Sequence, residues 1–144
     1  MGYIESNLLS DEQVVYTARL HWIIFLKPFA LVFFGMIFLI IQPIIGAVVI
    51  IIGLAASVAP VVDYFSSEFG VTNKRVIIKV GFVRRRTLEL LLRHVEAISV
   101  DQSVTGRMLD FGSLTLTGTG GVKELFHSVR SPLEFRRRIQ GAAS

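Results

Sequence analysis

The fold of this chain is decided by residues 28–62, which read PFALVFFGMIFLIIQPIIGAVVIIIGLAASVAPVV and contain no charged side chain. A soluble domain within a chain of 144 residues cannot bury so long an uncharged run. As one helix, the run would extend about 50 Å, well beyond the roughly 30 Å hydrocarbon core of a bilayer. We therefore expect two membrane-spanning helices that form a hairpin, with the turn at Gln42-Pro43.

Each predicted helix has the length of one membrane crossing. The first covers residues 22–41 and the second covers residues 44–62. Pro43 suits the first turn of the second helix, where the missing N–H costs little. Pro28 is expected to kink or restart the first helix. Residues 22–62 thus form the predicted transmembrane hairpin.

Three small residues follow one face of the second helix: Gly46, Gly53 and Ser57, at spacings of seven and four. Such a face lets a neighbouring helix approach closely, so these residues are candidates for helix packing. The alternative is that small residues are simply common in membrane helices. The sequence leaves both interpretations open.

Basic residues flank both ends of the apolar segment, whereas the Gln42-Pro43 turn carries none. Because cytoplasmic flanks of membrane helices are enriched in Lys and Arg, this pattern predicts a multi-pass protein of the cell (inner) membrane with both termini in the cytoplasm. A single kinked span is the second choice, since it would place one basic end outside. The flanking bases are Arg19, Lys27, Lys74, Arg75, Lys79 and Arg84 to Arg86.

The N-terminal cytoplasmic segment, residues 1–21, contains a predicted strand over residues 13–19 because β-branched and aromatic residues alternate there. A capping box of Ser10 with Gln13 would instead open a helix. We favour the strand. Since a lone edge strand leaves its backbone unpaired, it is expected to pair with the sheet that follows the hairpin.

Residues 63–144 predict a cytoplasmic domain of antiparallel strands closed by one helix. Ser131 and Pro132 have the features of an N-cap and a first helical residue, and Arg136 to Arg138 would lie in the last turn of that helix. The fold class is therefore α/β, with a transmembrane hairpin beside a β domain. The predicted strands cover residues 69–72, 76–80, 82–90, 95–100, 113–117 and 122–127.

Several motifs together resemble the bacterial PH-domain membrane proteins. They are Thr72-Asn73-Lys74-Arg75-Val76 before a glycine at 81, Val95-Glu96-Ala97-Ile98, and Gly106-Arg107-Met108-Leu109-Asp110-Phe111-Gly112-Ser113-Leu114. Glu12-x-Val14-x-Tyr16 before the first helix and Pro132-x-x-Phe135 near the C-terminus are similar too, whereas Ser113 replaces the usual threonine. The resemblance implies a PH-like antiparallel β-barrel or sandwich with a C-terminal helix. It implies no particular activity, because fold does not determine function.

The candidate contacts for lipid headgroups or a protein partner are basic: Lys27, Lys74, Lys79, Arg84, Arg85, Arg86 and Arg107. Anionic headgroups attract such residues near a membrane surface. The alternative for Arg84 to Arg86 is an edge strand that uses charge against aggregation. Gly106 is expected to adopt a positive backbone angle, and Arg107 is expected to pair with Asp101 or Asp110.

Catalytic and metal sites are not indicated. The chain has no cysteine, and its three histidines are far apart in sequence, with His21 expected at the membrane interface beside Trp22. No nucleophile motif or paired acids give a catalytic context, and the aromatic residues cluster in the apolar segment rather than forming a stacking platform for nucleic acid. We therefore predict no enzyme activity, no cofactor and no metal. The first hypothesis is a membrane-anchored interaction scaffold, with a protein partner or self-assembly into a homo-oligomer, and the alternative is an anionic-lipid-binding module.

Overall fold

The computed structural model describes residues 2–82 and 84–144, which divide into two compact units. One unit is the segment Trp22–Phe65. The other combines the residues up to His21 with Ser66–Ser144. The apolar segment is therefore an insertion within a domain, and the chain on both sides of it belongs to that domain.

The N-terminal segment contains a short helix, α1 (Tyr3–Ser6), and a strand, β1 (Val14–Ala18). The strand lies within the predicted residues 13–19. Ser10 precedes it in a turn and caps no helix, so the helical alternative for this segment is wrong.

The inserted unit contains a 3-10 turn (Trp22–Phe25) and two helices, α2 (Leu26–Ile41) and α3 (Pro43–Ser66). Both Trp22–Ile41 and Pro43–Ser66 are long and apolar enough to cross a membrane. The second helix continues four residues beyond the predicted end at residue 62. Only Ser67 separates its last residue, Ser66, from the first residue of β2.

Glycines permit close contact within the hairpin. A Cβ atom on Gly46 would lie 2.3 Å from the backbone nitrogen of Leu39, and one on Gly53 would lie 2.8 Å from the nearest side-chain atom of α2. Ser57 differs, because its hydroxyl donates a hydrogen bond of 2.6 Å to the carbonyl of Leu54 in its own helix. The close approach thus occurs at the two glycines.

The first sheet has the order β1-β2-β3-β4 and is antiparallel throughout. Its later strands are β2 (Glu68–Thr72), β3 (Arg75–Val80) and β4 (Arg86–Leu91). The prediction of a strand from residue 82 is wrong at its start, because the β3–β4 loop occupies that stretch and the strand begins at Arg86. Val83, within this loop, lies outside the described residues.

The second sheet has the order β5-β6-β7, formed by Val95–Asp101, Phe111–Gly118 and Lys123–Arg130. An isolated antiparallel bridge between Leu20 and Val129 connects it to the chain that follows β1. The described strands form these two sheets without closing a barrel. The sheets separate beside β4, where a cleft of about 200 Å³ is lined by leucines of both sheets.

A helix replaces the irregular stretch expected around Gly106. This helix, α4, covers Val104–Leu109, and Gly106 does not have a positive backbone angle. Glycine is needed here for space, because a Cβ atom would lie 2.6 Å from the carbonyl oxygen of Phe111. Among the described ion pairs, none joins Arg107 to Asp101 or Asp110, so that expectation is also wrong.

The C-terminal helix, α5, covers Pro132–Ala143 and begins where predicted. Ser131 does not cap it through its side chain, since its hydroxyl bonds to the carboxylate of Asp110. The helix continues beyond residue 138, so the three arginines lie in its middle rather than in its last turn. Two of them form ion pairs with Glu134, one turn earlier in the helix.

Aromatic residues form the centre of the domain core. Phe69 meets Phe126 and Phe135 edge-on, at ring distances of 5.9 and 6.3 Å. Phe135 and Ile139 of α5 are fully buried, which places this helix against both sheets. Perpendicular aromatic pairs add to the stabilisation from buried apolar area.

Candidate functional site

The edge of the domain where the apolar segment leaves and returns is hereafter the hairpin edge, defined by His21 and Ser67. Both residues are buried, with 4% and 1% of their surface exposed. The backbone N–H of His21 bonds to the carbonyl of Ser128 at 2.8 Å, and Ser67 accepts a bond from the N–H of Gly81. The chain therefore enters and leaves the domain at two residues that hydrogen bonds within the domain hold in place.

His21 is buried within the domain, and its expected place at the membrane interface stays a prediction. Its ring lies 5.0 Å from that of Phe111. Burial lowers the pKa of His21 and the nearby charge of Arg130 acts in the same direction, whereas a hydrogen bond with the backbone of Leu109 opposes the change. The neutral ring is accordingly favoured at neutral pH.

The β3–β4 loop lies at the hairpin edge because Glu68, at the start of β2, pairs with Lys79 near the end of β3. Arg85 and Lys79 lie over the ring of Tyr3, with their charged groups 4.7 and 5.1 Å from its centroid. Phe82 exposes 71% of its surface in the same loop. Two cations thus lie over the ring of Tyr3, and the same loop exposes a second aromatic side chain.

The three consecutive arginines have different environments. Arg84 is exposed in the loop and has no ion pair among the described residues. Arg86 begins the edge strand β4, pairs with Glu124 and lies 5.9 Å from the ring centroid of Phe126. Arg84 is thus exposed to solvent and Arg85 lies over Tyr3. Arg86, in contrast, connects the two sheets.

The other predicted basic contacts are dispersed. Lys74 lies in the β2–β3 turn, at the opposite end of the first sheet, and its ammonium donates a bond of 2.8 Å to the carbonyl of Ser10. Lys27 is exposed within α2, and Arg107 is exposed on α4. The structure groups Lys79, Arg84 and Arg85 at one loop and leaves the rest apart.

An ionic cluster that sequence reasoning missed lies at the same end as Lys74. Arg75 contacts Glu12 twice, with Nε–Oε1 and Nη2–Oε2 distances of 3.0 and 3.1 Å, and its other terminal nitrogen pairs with Glu89. The hydroxyl of Thr72 donates to Glu12 at 2.7 Å. Glu12, Thr72 and Arg75 all occur in the motifs that resembled the family, so those motifs were the available signal.

Burial alone would raise the pKa of Glu12. Hydrogen bonds from Arg75, from the N–H of Leu9 and from Thr72, together with attraction to the guanidinium, outweigh burial and lower this pKa from 4.5 to about 2. The hydrogen bond to Glu12 raises the pKa of Arg75 in turn. The pair is therefore fully ionised at neutral pH and is a structural contact rather than a proton donor.

A groove of about 660 Å³ lies away from the hairpin edge, at the end of the β1–β2 ladder where Val14 pairs with Thr72. It combines apolar side chains of β1 and α5 with both charge signs. No group of three metal-binding side chains occurs in the described parts of the chain. The groove is lined by Val15, Asn73, Glu134, Arg137, Arg138, Gly141 and Ala142.

Comparison with known families bears directly on this architecture of two antiparallel sheets and a C-terminal helix. The sequence matches the family described as "Bacterial PH domain" over residues 23–143. The chain belongs to the bacterial PH domain family. This confirms the resemblance that the motifs around Thr72, Arg75 and Gly106 indicated.

A solved structure is also similar to this bacterial PH domain protein. It is the crystal structure of a DUF1696 family protein with a pleckstrin-homology domain from Shewanella loihica PV-4, which is 16% identical. The match covers 56% of this chain and 74% of that chain, with a TM-score of 0.41. No curated protein showed significant sequence similarity. PH domains generally bind lipids or proteins and are generally non-catalytic, which leaves the partner to be argued from the surface.

Proposed function

We propose that this protein is a membrane-anchored interaction module without catalytic activity, in which the helical hairpin holds a bacterial PH domain at the cytoplasmic surface and the domain binds a protein partner. The observation that carries the proposal is the burial of His21 and Ser67 on both sides of the apolar insertion. Both ends of the apolar insertion thus belong to the fold of the domain. A domain that is joined to its anchor through two chain connections suits a scaffold held at the membrane.

The groove beside β1 and α5 is the surface best suited to the partner. It lies at the far end of the β1–β2 ladder from the hairpin edge. A polypeptide-binding surface typically has an apolar centre and a polar rim. The groove has both, with the apolar residue Val15 and the charged residues Glu134 and Arg137. A homo-oligomer is one form that this binding can take.

Site-specific photo-crosslinking in living cells tests this function. A photoreactive residue at Val15, in the groove, is expected to give a discrete adduct that disappears when Arg137→Glu is introduced. The matched control is the same residue at Val122, which is 60% exposed in the β6–β7 turn outside the groove. Equal adducts at Val15 and Val122, or an adduct insensitive to Arg137→Glu, would contradict the proposal. Adduct mass distinguishes a second copy from another protein.

The absence of cysteine makes the proposed topology directly measurable. Single cysteines at Gln42 and Ser144 should react with a membrane-impermeant thiol reagent from opposite sides. We expect the reagent to label Gln42→Cys in intact cells. We expect it to label Ser144→Cys only after lysis. The reverse pattern, or both positions on one side, would rule out the hairpin with cytoplasmic termini.

Anionic-lipid binding is the second candidate, and the cluster of Lys79, Arg84 and Arg85 beside Tyr3 favours it. Each base near an anionic surface contributes about 1 kcal/mol. The domain includes β1, so the test requires the full chain in nanodiscs. Protection of the β3–β4 loop from hydrogen exchange should increase with anionic lipid and lose that dependence in Arg84→Glu/Arg85→Glu. Protection that is unaffected by lipid charge would exclude this candidate.

A further inference from the structure

The short helix α4 presents an apolar face that the described residues of its own domain leave exposed. Val104 and Met108 expose 76% and 80% of their surface. Their spacing of four residues places both on the same helical face, and Arg107 beside them is exposed as well. Exposed apolar side chains at helical spacing next to a base form an amphipathic surface of the type that enters the interfacial layer of a membrane.

This exposure is not that of a loose loop, because α4 is attached at both ends. Ser103 caps the helix by accepting a bond of 3.1 Å from the N–H of Gly106. The side-chain amide of Gln102 donates to the carbonyl of Phe111 at 3.1 Å. The domain therefore holds Val104 and Met108 outward in a defined position.

Helix α4 lies close to the point where the chain leaves the domain for the first apolar span. The C-terminal residue of the helix, Leu109, bonds through its backbone to His21, and Trp22 begins the first apolar span directly after His21. Phe111 follows the helix and packs against the ring of His21. Helix α4 thus contacts His21, the residue directly before a segment that is apolar enough to span a membrane.

We propose that α4 lies in the interfacial layer of the same bilayer that holds the hairpin, with Val104 and Met108 inserted among the lipids and Arg107 at the headgroups. This inference rests on the membrane anchoring in the proposed function. The inference adds a non-covalent contact between the domain and the membrane. This contact is separate from the hairpin anchor and from the basic β3–β4 loop.

The test uses the full chain in nanodiscs of phosphatidylethanolamine and phosphatidylglycerol, with one cysteine per variant carrying an environment-sensitive fluorophore. Met108→Cys reports on α4, and Val122→Cys is the matched control, an exposed valine in the β6–β7 turn at the far end of the domain. Ile51→Cys, exposed on α3, reports on the hairpin itself. Each label is challenged with an aqueous quencher and with a quencher attached to lipid headgroups.

We expect the Met108 label to resist the aqueous quencher and to respond to the lipid-attached quencher, whereas the Val122 label behaves oppositely. Introducing Val104→Glu should abolish the lipid response at residue 108. Since residue 104 is already exposed, this change leaves the core of the domain intact.

Three results would overturn the inference in different ways. A Met108 label as accessible to the aqueous quencher as the Val122 label, with Ile51 still in lipid, refutes the role of α4 and leaves the anchor standing. A Met108 label shielded from both quenchers means that protein, such as a second copy, covers the helix. If Ile51 is also in water, the proposed anchoring fails together with the inference.

Discussion

Arg75 and Glu12 form a buried ion pair across the hairpin insertion, with their Nε and Oε1 atoms 3.0 Å apart. Glu12 precedes the first apolar helix and Arg75 follows the second, yet the side chain of Glu12 is fully buried against its partner. The ion pair connects the N-terminal segment to the start of β3. It therefore couples the two parts of the domain that the hairpin separates in sequence.

Arg75→Ala should strongly destabilise the domain. The substitution leaves the carboxylate of Glu12 buried without its main partner, and breaking a buried pair in this way typically costs about 3–5 kcal/mol. Native-state hydrogen exchange of the β1 amides in nanodisc-embedded protein measures the loss.

The matched control for Arg75→Ala is Arg137→Ala. Arg137 pairs with Glu134, but 80% of its side chain is exposed. An exposed pair contributes at most about 1 kcal/mol, so β1 protection should change little. Similar losses for both variants would contradict a special role for the buried pair.

Stability should decrease in acid through Glu12. Because its pKa in the folded protein is about 2 and its ordinary value is 4.5, the unfolded chain binds the proton first as pH falls. The contribution is complete above about pH 5 and is lost progressively towards pH 2, with a total of about 3 kcal/mol. Hydrogen exchange or thermal unfolding across this range measures it, and Glu12→Gln should flatten the dependence in this window. An unchanged slope in Glu12→Gln would refute the assignment.

Gly46→Val should separate or distort the hairpin. Even a Cβ atom at residue 46 would lie 2.3 Å from backbone of the facing helix, and backbone cannot yield as a flexible side chain can. Overpacking of this kind costs about 1–3 kcal/mol or more. Thermal stability in detergent provides the measurement, and Ser57→Ala is the control because its hydroxyl bonds within its own helix. Equal effects of the two substitutions would argue against packing at Gly46.

Gly106→Ala should destabilise α4, whereas Gly141→Ala in α5 should not. A Cβ atom at residue 106 meets the carbonyl oxygen of Phe111 at 2.6 Å, while nothing lies within 4 Å of one at residue 141. In open space, replacing a helical glycine by alanine favours the helix by about 0.5–1 kcal/mol. Opposite changes in melting temperature are expected. Destabilisation of equal size at both positions would show that space at residue 106 is not the cause.

Several features followed from local pattern. The turn at Gln42-Pro43 was predicted because one helix over residues 28–62 would exceed the thickness of a bilayer, and α2 and α3 meet at this point. The alternation of residues 13–19 predicted β1, and the Ser131-Pro132 pair marked the start of α5. Periodicity and special residues determine such elements through neighbours a few positions apart.

Other features depended on contacts between distant parts of the chain. The helix around Gly106 was missed because a glycine there suggested a positive backbone angle, whereas its role is to leave space for the carbonyl of Phe111. The start of β4 was misplaced because pairing with β3 sets where the strand begins. The burial of His21 results from Phe111, ninety residues later in the sequence.

The sequence by itself determined that this chain carries a paired apolar segment and that its motifs are those of a bacterial PH domain. Hydrophobicity and short motifs act locally, so they can be interpreted without coordinates. Only the tertiary structure decided that Glu12 meets Arg75, that His21 and Ser67 are fixed within the domain, and that Val104 and Met108 remain uncovered. The physical reason is that ion pairing and burial depend on which surfaces the folded chain brings together, and the hairpin places 35 uncharged residues between the partners.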